Sequence, residues 1–191
     1  MSAIKLSILV LTVPRRVTTF FPKLVERLQS QSLERPVEIL GLYDNQKRTV
    51  GEKRNALIGL AQGEYVVFID DDDWVDDTYV QAILEGLAAA PDVDVLCFEQ
   101  LCTDNGASYR CLYSLSYEYQ RSSDGTWYGK PAHTMVWRAA LAKACEFPTS
   151  NYAEDMAWVA QACRLANTEH RIDARLYHYR FRADVSETRT R

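Results

Sequence analysis

Four consecutive aspartates, Asp70 to Asp73, follow a run of apolar residues, Tyr-Val-Val-Phe-Ile, at positions 65–69. From Glu64 to Asp77 the chain carries seven acidic residues and no basic one. Neighbouring carboxylates repel one another, and the repulsion is stronger near the end of a buried strand than in free solution. Carboxylate oxygens are the ligands that Mg²⁺ and Mn²⁺ prefer, and these cations often bridge to phosphate. The aspartate run therefore predicts a site for a divalent cation or a nucleotide.

The four aspartates cannot all face one ligand. In an extended segment successive side chains point to opposite sides, so Asp70 and Asp72 would face one way and Asp71 and Asp73 the other. Capping of the next helix is the alternative role, because carboxylates stabilise a helix N-terminus. We expect the acids from Asp73 to Asp77 largely to serve that helix. Capping does not account for the whole run, and it leaves Asp71 without an assigned role.

A second acidic pair, Glu154-Asp155, stands where a helix is predicted to begin. Asp155, Trp158 and Ala162 fall on one helical face, so the carboxylate would lie at the helix start with the indole packed beneath it. Acids in a first helical turn are stabilised by the helix dipole alone. Taken by itself, the pair is therefore compatible with either a catalytic or a structural role.

Basic residues concentrate at the C-terminal end. Residues 164–191 contain seven arginines and no lysine, and arginine is suited to bidentate contacts with phosphate. A solvated surface balanced by nearby acids explains most of these arginines equally well. His133 has no partner close by in the sequence, so we expect it to be a structural histidine.

These candidate residues need a scaffold that brings them together. Apolar patterns predict strands that alternate with helices through the first half of the chain. Such alternation predicts an α/β fold with a largely parallel sheet covered by helices on both faces. The predicted strands lie at 4–13, 36–44, 64–70 and 92–101, and the predicted helices at 17–31, 51–63 and 76–90.

The pattern changes in the second half of the chain. Alternating residues on both sides of Asn105-Gly106 predict a β-hairpin, and a strand near 132–137 precedes helices near 138–145 and 153–165. With no internal repeat or linker, we expect one domain with a small antiparallel elaboration.

The ends of the predicted strands indicate where a ligand would bind. In open α/β sheets the ligand site lies beyond the carboxyl ends of the strands. Polar residues lie at the ends of three predicted strands: Thr12 at the first, Asp44-Asn45 at the second and the aspartate run at the third. We therefore expect these side chains to converge on one crevice.

The bulk composition is that of a globular protein. The chain has 191 residues, 47% of them hydrophobic and 25% charged, with a formal net charge of −4 that gives no support to a DNA partner. Its five cysteines form no CxxC pair, which argues against a zinc site or a disulfide scaffold. Lys5 and Ser7 interrupt the N-terminal apolar run, so we expect no signal peptide and no membrane span.

Taken together, these residues resemble the GT-A fold, family 2-type glycosyltransferases. The segment "ILVLTVPRR" is similar to the family's apolar strand with its Pro-Thr-Tyr-Asn-Arg-like turn, and "EILGLYDN" to the strand that ends in paired acids. "GEKRNALIGLAQGEYVVFIDDDDW" resembles the Arg-Asn helix that leads into Gly-Glu-Tyr and the Asp-x-Asp motif. "YAEDMAW" is similar to the Glu-Asp motif, and "RLYHYRFRADVSET" to the C-terminal Tyr-Arg…Ser segment. The ordered set covers most of the chain.

The resemblance implies a nucleotide-sugar donor, for which a UDP-sugar is the expected identity. Thr12 and Asp44 would contact the nucleotide base. Arg54 would lie near the base or the ribose, and Asp70 would approach the ribose.

The resemblance also implies a cation, Mn²⁺ or Mg²⁺, on the donor diphosphate. Asp72 would bind this metal, with Asp71 assisting. His178 and Arg180 would approach the diphosphate or close over it. Asp155 would be the general base, with Glu154 beside it helping to orient the acceptor.

These roles imply a metal-dependent glycosyltransferase that inverts the anomeric carbon, because one base facing the acceptor suits direct displacement. The acceptor would be a hydroxyl of a saccharide or a lipid-linked sugar, with a hydroxylated phage DNA base less favoured and a protein left open. Residues from about 1 to 101 would bind the donor, and those from about 102 to 191 the acceptor and the base. The expected location is the cytoplasm of a bacterial or phage-infected cell. A nucleotidyltransferase acting on sugar phosphates and an inert nucleotide-sugar-binding module are the alternatives.

Overall fold

The structure, a computed structural model, describes residues 3–181. The helices are α1 (Phe21–Ser32), α2 (Val50–Leu60), α3 (Tyr79–Ala89), α4 (Ala139–Lys143) and α5 (Glu154–Leu165). The strands are β1 (Leu6–Thr12), β2 (Val37–Tyr43), β3 (Tyr65–Asp70), β4 (Trp74–Val75), β5 (Val95–Asp104), β6 (Ala107–Tyr113), β7 (Gln120–Arg121), β8 (Trp127–Gly129), β9 (Val136–Arg138) and β10 (Glu169–Phe181). No helix within residues 3–181 has the length and apolar character needed to cross a membrane.

One sheet contains all ten of these strands, and its parallel part carries the predicted crevice. β1 lies between β2 and β3 and pairs in parallel with both, with Thr12 opposite Tyr43 and Leu11 opposite Asp70. Every residue of β1 is buried, as is typical of a central parallel strand covered on both faces. α1 packs against β2 and α3, whereas α2 packs against β1, α4 and α5. The predicted α/β fold, with a mostly parallel central sheet flanked by helices, is confirmed.

The sheet continues beyond β3 through the order β9-β5-β6-β8-β7. β9 is antiparallel to both β3 and β5, and β5 forms a hairpin with β6. This hairpin turns at Asn105 and Gly106, whose φ angles are 49° and 85°. A tight hairpin turn needs positive φ at both central residues, which asparagine and glycine adopt most readily. The predicted hairpin is therefore confirmed.

Two helices begin later than predicted. α1 begins at Phe21 rather than near residue 17, with Pro22 in its first turn. Proline lacks an N–H and clashes with the carbonyl four residues earlier, so it fits the first turn of a helix but not its interior. α3 begins at Tyr79 rather than near residue 76, and its N-cap residue, Thr78, makes no side-chain capping bond.

The role expected for the acids before α3 is only partly right. Asp76 accepts hydrogen bonds from the backbone N–H and the hydroxyl of Thr78, so it does serve the helix start. The prediction is wrong for Asp73, because a turn at 70–73 and the short strand β4 separate it from α3. Its carboxylate is bonded to β10 instead.

β10 is the longest element that the sequence did not predict. Its residues, EHRIDARLYHYRF, alternate charged and apolar side chains irregularly, and its pairing with β5 shifts on both sides of Arg175. The arginines suggest a solvated or phosphate-binding surface, whereas Leu176 and Tyr177 are buried members of the sheet. The second half of β10 also pairs with β4, with His178 opposite Trp74. This pairing places β10 directly beside the aspartate run.

Candidate active site

Three strand ends meet at the predicted crevice. Thr12 is the last residue of β1, Asp70 is the last residue of β3, and Asp44 follows the end of β2. Because these strands are adjacent and parallel, their carboxyl ends lie at the same edge of the sheet. A hydrogen bond from Asp73 N to Asp70 O closes the turn that follows β3.

Arg16, in the turn after β1, pairs with two of the aspartates. Its guanidinium nitrogens lie 2.9 Å from Asp71 Oδ1 and 2.6 Å from Asp72 Oδ2, and its side chain is largely buried. The Thr12 hydroxyl donates a 2.6 Å hydrogen bond to Asp71 Oδ2. Burial raises the pKa of Asp71 to about 6, although Arg16 and Thr12 oppose that shift. Asp71 therefore joins the turn after β1 to the turn after β3.

Asp73 joins the same turn to β10. The Tyr177 hydroxyl donates to Asp73 Oδ2 at 2.7 Å, and Arg180 N donates to Asp73 Oδ1 at 2.7 Å. The Tyr177 oxygen also accepts a hydrogen bond from Asp70 N at 3.2 Å. Burial, followed by the charges of Asp70 and Asp72, raises the pKa of Asp73 well above its ordinary value. The four aspartates alternate in burial, as the sequence predicted for their direction: Asp71 and Asp73 are buried, whereas Asp70 and Asp72 are partly exposed.

His178 and Arg180 lie on the same stretch of β10. His178 is partly buried opposite Trp74, and burial followed by the charge of Arg180 lowers its pKa. The Arg180 guanidinium lies over the Trp74 ring, 5.6 Å from its centroid. Both residues are therefore beside the aspartate run, and their contact with a diphosphate stays a prediction. The rest of the C-terminal segment that resembles the family, from Arg182 onward, lies outside the described residues.

Arg54, on α2, connects the aspartate run to α5. Its Nη2 lies 3.0 Å from Asp70 Oδ1, and its Nε lies 3.4 Å from Glu154 Oε1. The guanidinium is buried over the rings of Phe68 and Phe147, with centroids at 5.1 and 5.6 Å. Burial raises the pKa of Glu154, with Arg54 opposing the shift. Burial would also raise the pKa of Asp70, but Arg54 and His133 outweigh it and the net shift is downward.

His133 lies between the two candidate acidic groups. Its Nε2 is 3.7 Å from Asp70 Oδ2, and its Nδ1 is 3.5 Å from Asp155 Oδ2. The side chain of Asp155 is 38% exposed, against 8% for Glu154. Asp155 therefore reaches the crevice, whereas Glu154 faces Arg54. As the sequence indicated, His133 has no partner close by along the chain, since both carboxylates are more than twenty residues away and come near it only in the fold. Its expected role as a structural histidine stays a prediction.

Asp44 and Thr12 are both engaged with the protein itself. Asp44 accepts hydrogen bonds from the backbone of Gln46, Lys47 and Arg48, and Lys53 lies 3.3 Å from Asp44 Oδ1. Burial would raise the pKa of Asp44, but these donors outweigh it and lower the pKa. Thr12 is fully buried. Their contact with a nucleotide base, and that of Arg54 with the base or ribose, stay predictions.

Sequence reasoning missed three residues of this site: Arg16, His133 and Tyr177. Arg16 could have been found from the sequence. It lies in the turn after the first strand, and an acidic run without nearby basic residues follows a strand that is expected to be adjacent. His133 and Tyr177 offered none, since their contacts depend on the placement of β9 and β10.

We predict that Tyr177→Phe lowers the free energy of unfolding by about 1–3 kcal/mol, because it leaves a buried Asp73 oxygen without its donor. Chemical denaturation measures the loss. Tyr79→Phe is the matched control, since the buried Tyr79 hydroxyl has no hydrogen-bond partner within residues 3–181 and its removal should cost little. Equal losses in the two variants would show that the bond to Asp73 contributes nothing.

The carboxylates at the crevice suit a cation that is bound partly by the protein and partly by a ligand. Among residues 3–181 no three His, Cys, Asp or Glu side chains are arranged to hold a metal by themselves. Mg²⁺ and similar cations commonly bind through one or two carboxylates together with substrate phosphates. Asp72, whose carboxylate is partly exposed at the crevice beside Asp70, fits this mode of binding.

The likeness to solved structures shows the fold. TarS 1–349 of S. aureus in complex with UDP-GlcNAc is 17% identical, with a TM-score of 0.68 over 93% of this chain and 59% of that chain. Glucosyl-3-phosphoglycerate synthase of Mycobacterium tuberculosis, in complex with Mn²⁺, UDP and phosphoglyceric acid, is 11% identical, with a TM-score of 0.62 over 93% of this chain and 71% of that one. The present chain thus spans less than two thirds of the TarS chain. A sequence comparison with curated proteins found no match.

The family profile described as "Glycosyl transferase family 2" matches residues 21–143. That range includes Arg54, the aspartate run and His133, and the sheet around them has the GT-A arrangement expected from the resemblance. The chain therefore belongs to glycosyl transferase family 2.

Proposed function

We propose that the chain transfers a sugar from a nucleotide-sugar donor to an acceptor hydroxyl, with the help of a divalent cation and with inversion at the anomeric carbon. One observation carries the proposal: His133 contacts both Asp70, at the end of β3, and Asp155, at the start of α5. A donor-side carboxylate and a separate, partly exposed carboxylate therefore face the same crevice from elements that are 84 residues apart.

The donor side is formed by Asp70, Asp71 and Asp72. Asp72 would hold Mn²⁺ or Mg²⁺, and the cation would offset the charge that grows on the departing diphosphate. Asp70 would approach the ribose, held in place by Arg54. The ligands of the two structural neighbours, UDP-GlcNAc in one and Mn²⁺ with UDP in the other, support a UDP-sugar and a manganese-type cation.

Asp155 would act as the general base. It would take the proton of the acceptor hydroxyl as the oxygen attacks the anomeric carbon. Glu154 is buried against Arg54, so it would orient the helix start rather than reach the acceptor. One base on the acceptor side suits a single displacement without a covalent intermediate. A trapped glycosyl-enzyme, or a product with retained configuration, would overturn this mechanism.

Exposed side chains around Asp155 favour a saccharide acceptor. Tyr152 and Met156, close to Asp155 in the chain, are among the large apolar side chains that remain exposed, and so is Tyr119. Burial raises the pKa of Tyr119, and the charges of Cys163 and Asp155 add to the shift. Aromatic rings offer large, rigid contact faces of the kind that a sugar ring can lie against.

We predict that UDP and UDP-GlcNAc raise the midpoint of thermal unfolding only when Mn²⁺ is present. A ligand at one hundred times its Kd stabilises by about 2.7 kcal/mol, which corresponds to roughly 5–10 °C for a chain of this size. Asp72→Asn should abolish the Mn²⁺-dependent part of the shift. Glu26→Gln, an exposed acid on α1, is the control and should keep it.

The identity of the released product separates the proposal from its alternatives. A glycosyltransferase releases a nucleoside diphosphate, whereas a nucleotidyltransferase supplied with a nucleoside triphosphate and a sugar phosphate releases pyrophosphate. Binding of UDP-sugars without release of UDP, with every donor and acceptor offered, would favour the inert module.

A further inference from the structure

His133 lies in a loop between β8 and β9 that is held on both sides. The Trp137 indole N–H donates to Ala132 O at 2.9 Å, and Met135 N donates to the same oxygen at 3.0 Å. The buried Gln100 amide donates to the hydroxyl of Thr134. The residues before and after the histidine are therefore fixed by the core of the protein. The backbone that carries the imidazole is therefore held independently of the crevice.

Each ring nitrogen of His133 faces a different carboxylate. Nδ1 faces Asp155 and Nε2 faces Asp70, at 3.5 and 3.7 Å, and the ring is tilted by 53° to that of Phe68 at a centroid distance of 6.2 Å. These are ion-pair distances, and Nε2 has no hydrogen-bond partner within residues 3–181. The His133 side chain is only 10% exposed. With both nitrogens directed at carboxylates, the ring is poorly placed to take a proton from an acceptor itself.

The two carboxylates depend on His133 to different degrees. Asp70 is also held by Arg54, which donates a 3.0 Å hydrogen bond to its Oδ1. Among the described residues, Asp155 forms its ion pair with His133. Asp155 also accepts a hydrogen bond from the backbone N–H of the adjacent Met156. Loss of the imidazole would therefore leave Asp70 in place and release Asp155.

On the basis of the proposed function, we propose that His133 is a positioning residue that orients Asp155 toward the acceptor through its Nδ1 atom. The donor-side contact through Nε2 is secondary, because Arg54 already holds Asp70. A misplacement of about 1 Å in a reacting group can lower a rate by about 10²-fold, so the orientation of Asp155 should appear in kcat rather than in donor affinity.

The test uses the release of UDP from UDP-GlcNAc in the presence of Mn²⁺, with water as the acceptor and with other UDP-sugars in parallel. We expect His133→Leu to lower kcat by about 10²-fold, while KM for the donor and the Kd of UDP change less than about threefold. His170→Leu is the control for the substitution itself, because His170 pairs with Leu96 near the start of β5, away from the crevice.

Two amide variants separate orientation from folding. The amide nitrogen of asparagine can occupy the place of Nδ1, and that of glutamine the place of Nε2. We expect His133→Asn to recover most of the lost kcat and His133→Gln to recover little, with similar thermal unfolding of the two. Unchanged kcat in His133→Leu, or better recovery by glutamine, would overturn this role alone. Absence of UDP release by the unmodified protein, with every UDP-sugar and every acceptor offered, would overturn the proposed function as well.

Discussion

Asp155→Asn is expected to lower the rate of UDP release by about 10²–10⁴-fold, the usual contribution of a positioned general base. Asparagine keeps the size of the side chain and can still accept the hydrogen bond from Met156 N, but it cannot take a proton. Donor binding should be nearly unchanged, because Asp155 belongs to α5 and the donor carboxylates to the end of β3. Steady-state kinetics, together with calorimetric binding of UDP, measure the two effects separately.

Two variants make this result specific. Asp173→Asn, an exposed aspartate on β10, should retain full activity. Glu154→Gln should lose less activity than Asp155→Asn, because its carboxylate is buried against Arg54. A greater loss in Glu154→Gln would reverse the assignment of the base. The fold should survive Asp155→Asn, since a first-turn acid contributes only about 0.3–1 kcal/mol through the helix dipole.

Arg54→Leu is expected to have the largest effect on stability, a loss of about 3–5 kcal/mol in the free energy of unfolding. The guanidinium is buried between Asp70 and Glu154, so its removal leaves a buried Glu154 carboxylate without its cation. Denaturation in urea measures the loss, and donor binding should weaken in parallel because Asp70 is no longer held by Arg54.

An exposed pair provides the comparison for Arg54. Arg110 lies 2.6 Å from Glu99 and is 48% exposed, and breaking such a surface pair costs at most about 1 kcal/mol. Arg110→Leu should therefore have nearly the same free energy of unfolding as the unmodified protein. If Arg54→Leu lost no more stability than Arg110→Leu, Arg54 would not be holding together the two sides of the crevice.

The proposed division into a donor half and an acceptor half puts a boundary near residue 101. Contacts within the site cross this boundary. Arg54 pairs with Glu154, Asp70 with His133, and Asp73 with Tyr177. Each pair joins a residue of the first half to one of the second. The functional division stays a proposal, but the two halves share one sheet and one set of ion pairs, so we expect them to unfold together.

The sequence alone was sufficient to predict the parallel sheet and the edge of it that carries the site. Apolar strand patterns and the order of elements predict which segments form the parallel strands. The ligand site lies beyond the carboxyl ends of such strands, so the places of Asp44 and Asp70 at the crevice could be predicted. Glu154-Asp155 could be placed at a helix start for the same reason. These features depend on residues that are near one another along the chain, where periodicity and turn chemistry are informative.

The tertiary structure alone decided the partners of these acids. Asp73 looks like a helix cap in the sequence, but β4 lies between it and the helix, and the unpredicted strand β10 brings Tyr177 to its carboxylate. Arg16 and His133 reach the aspartate run only because β1 and β9 both flank β3. These contacts join residues 55 to 104 positions apart, as the Arg16–Asp71 and His133–Asp70 ion pairs and the Tyr177–Asp73 hydrogen bond show. Strand order and register determine them, and a local pattern of residue types contains no information about either.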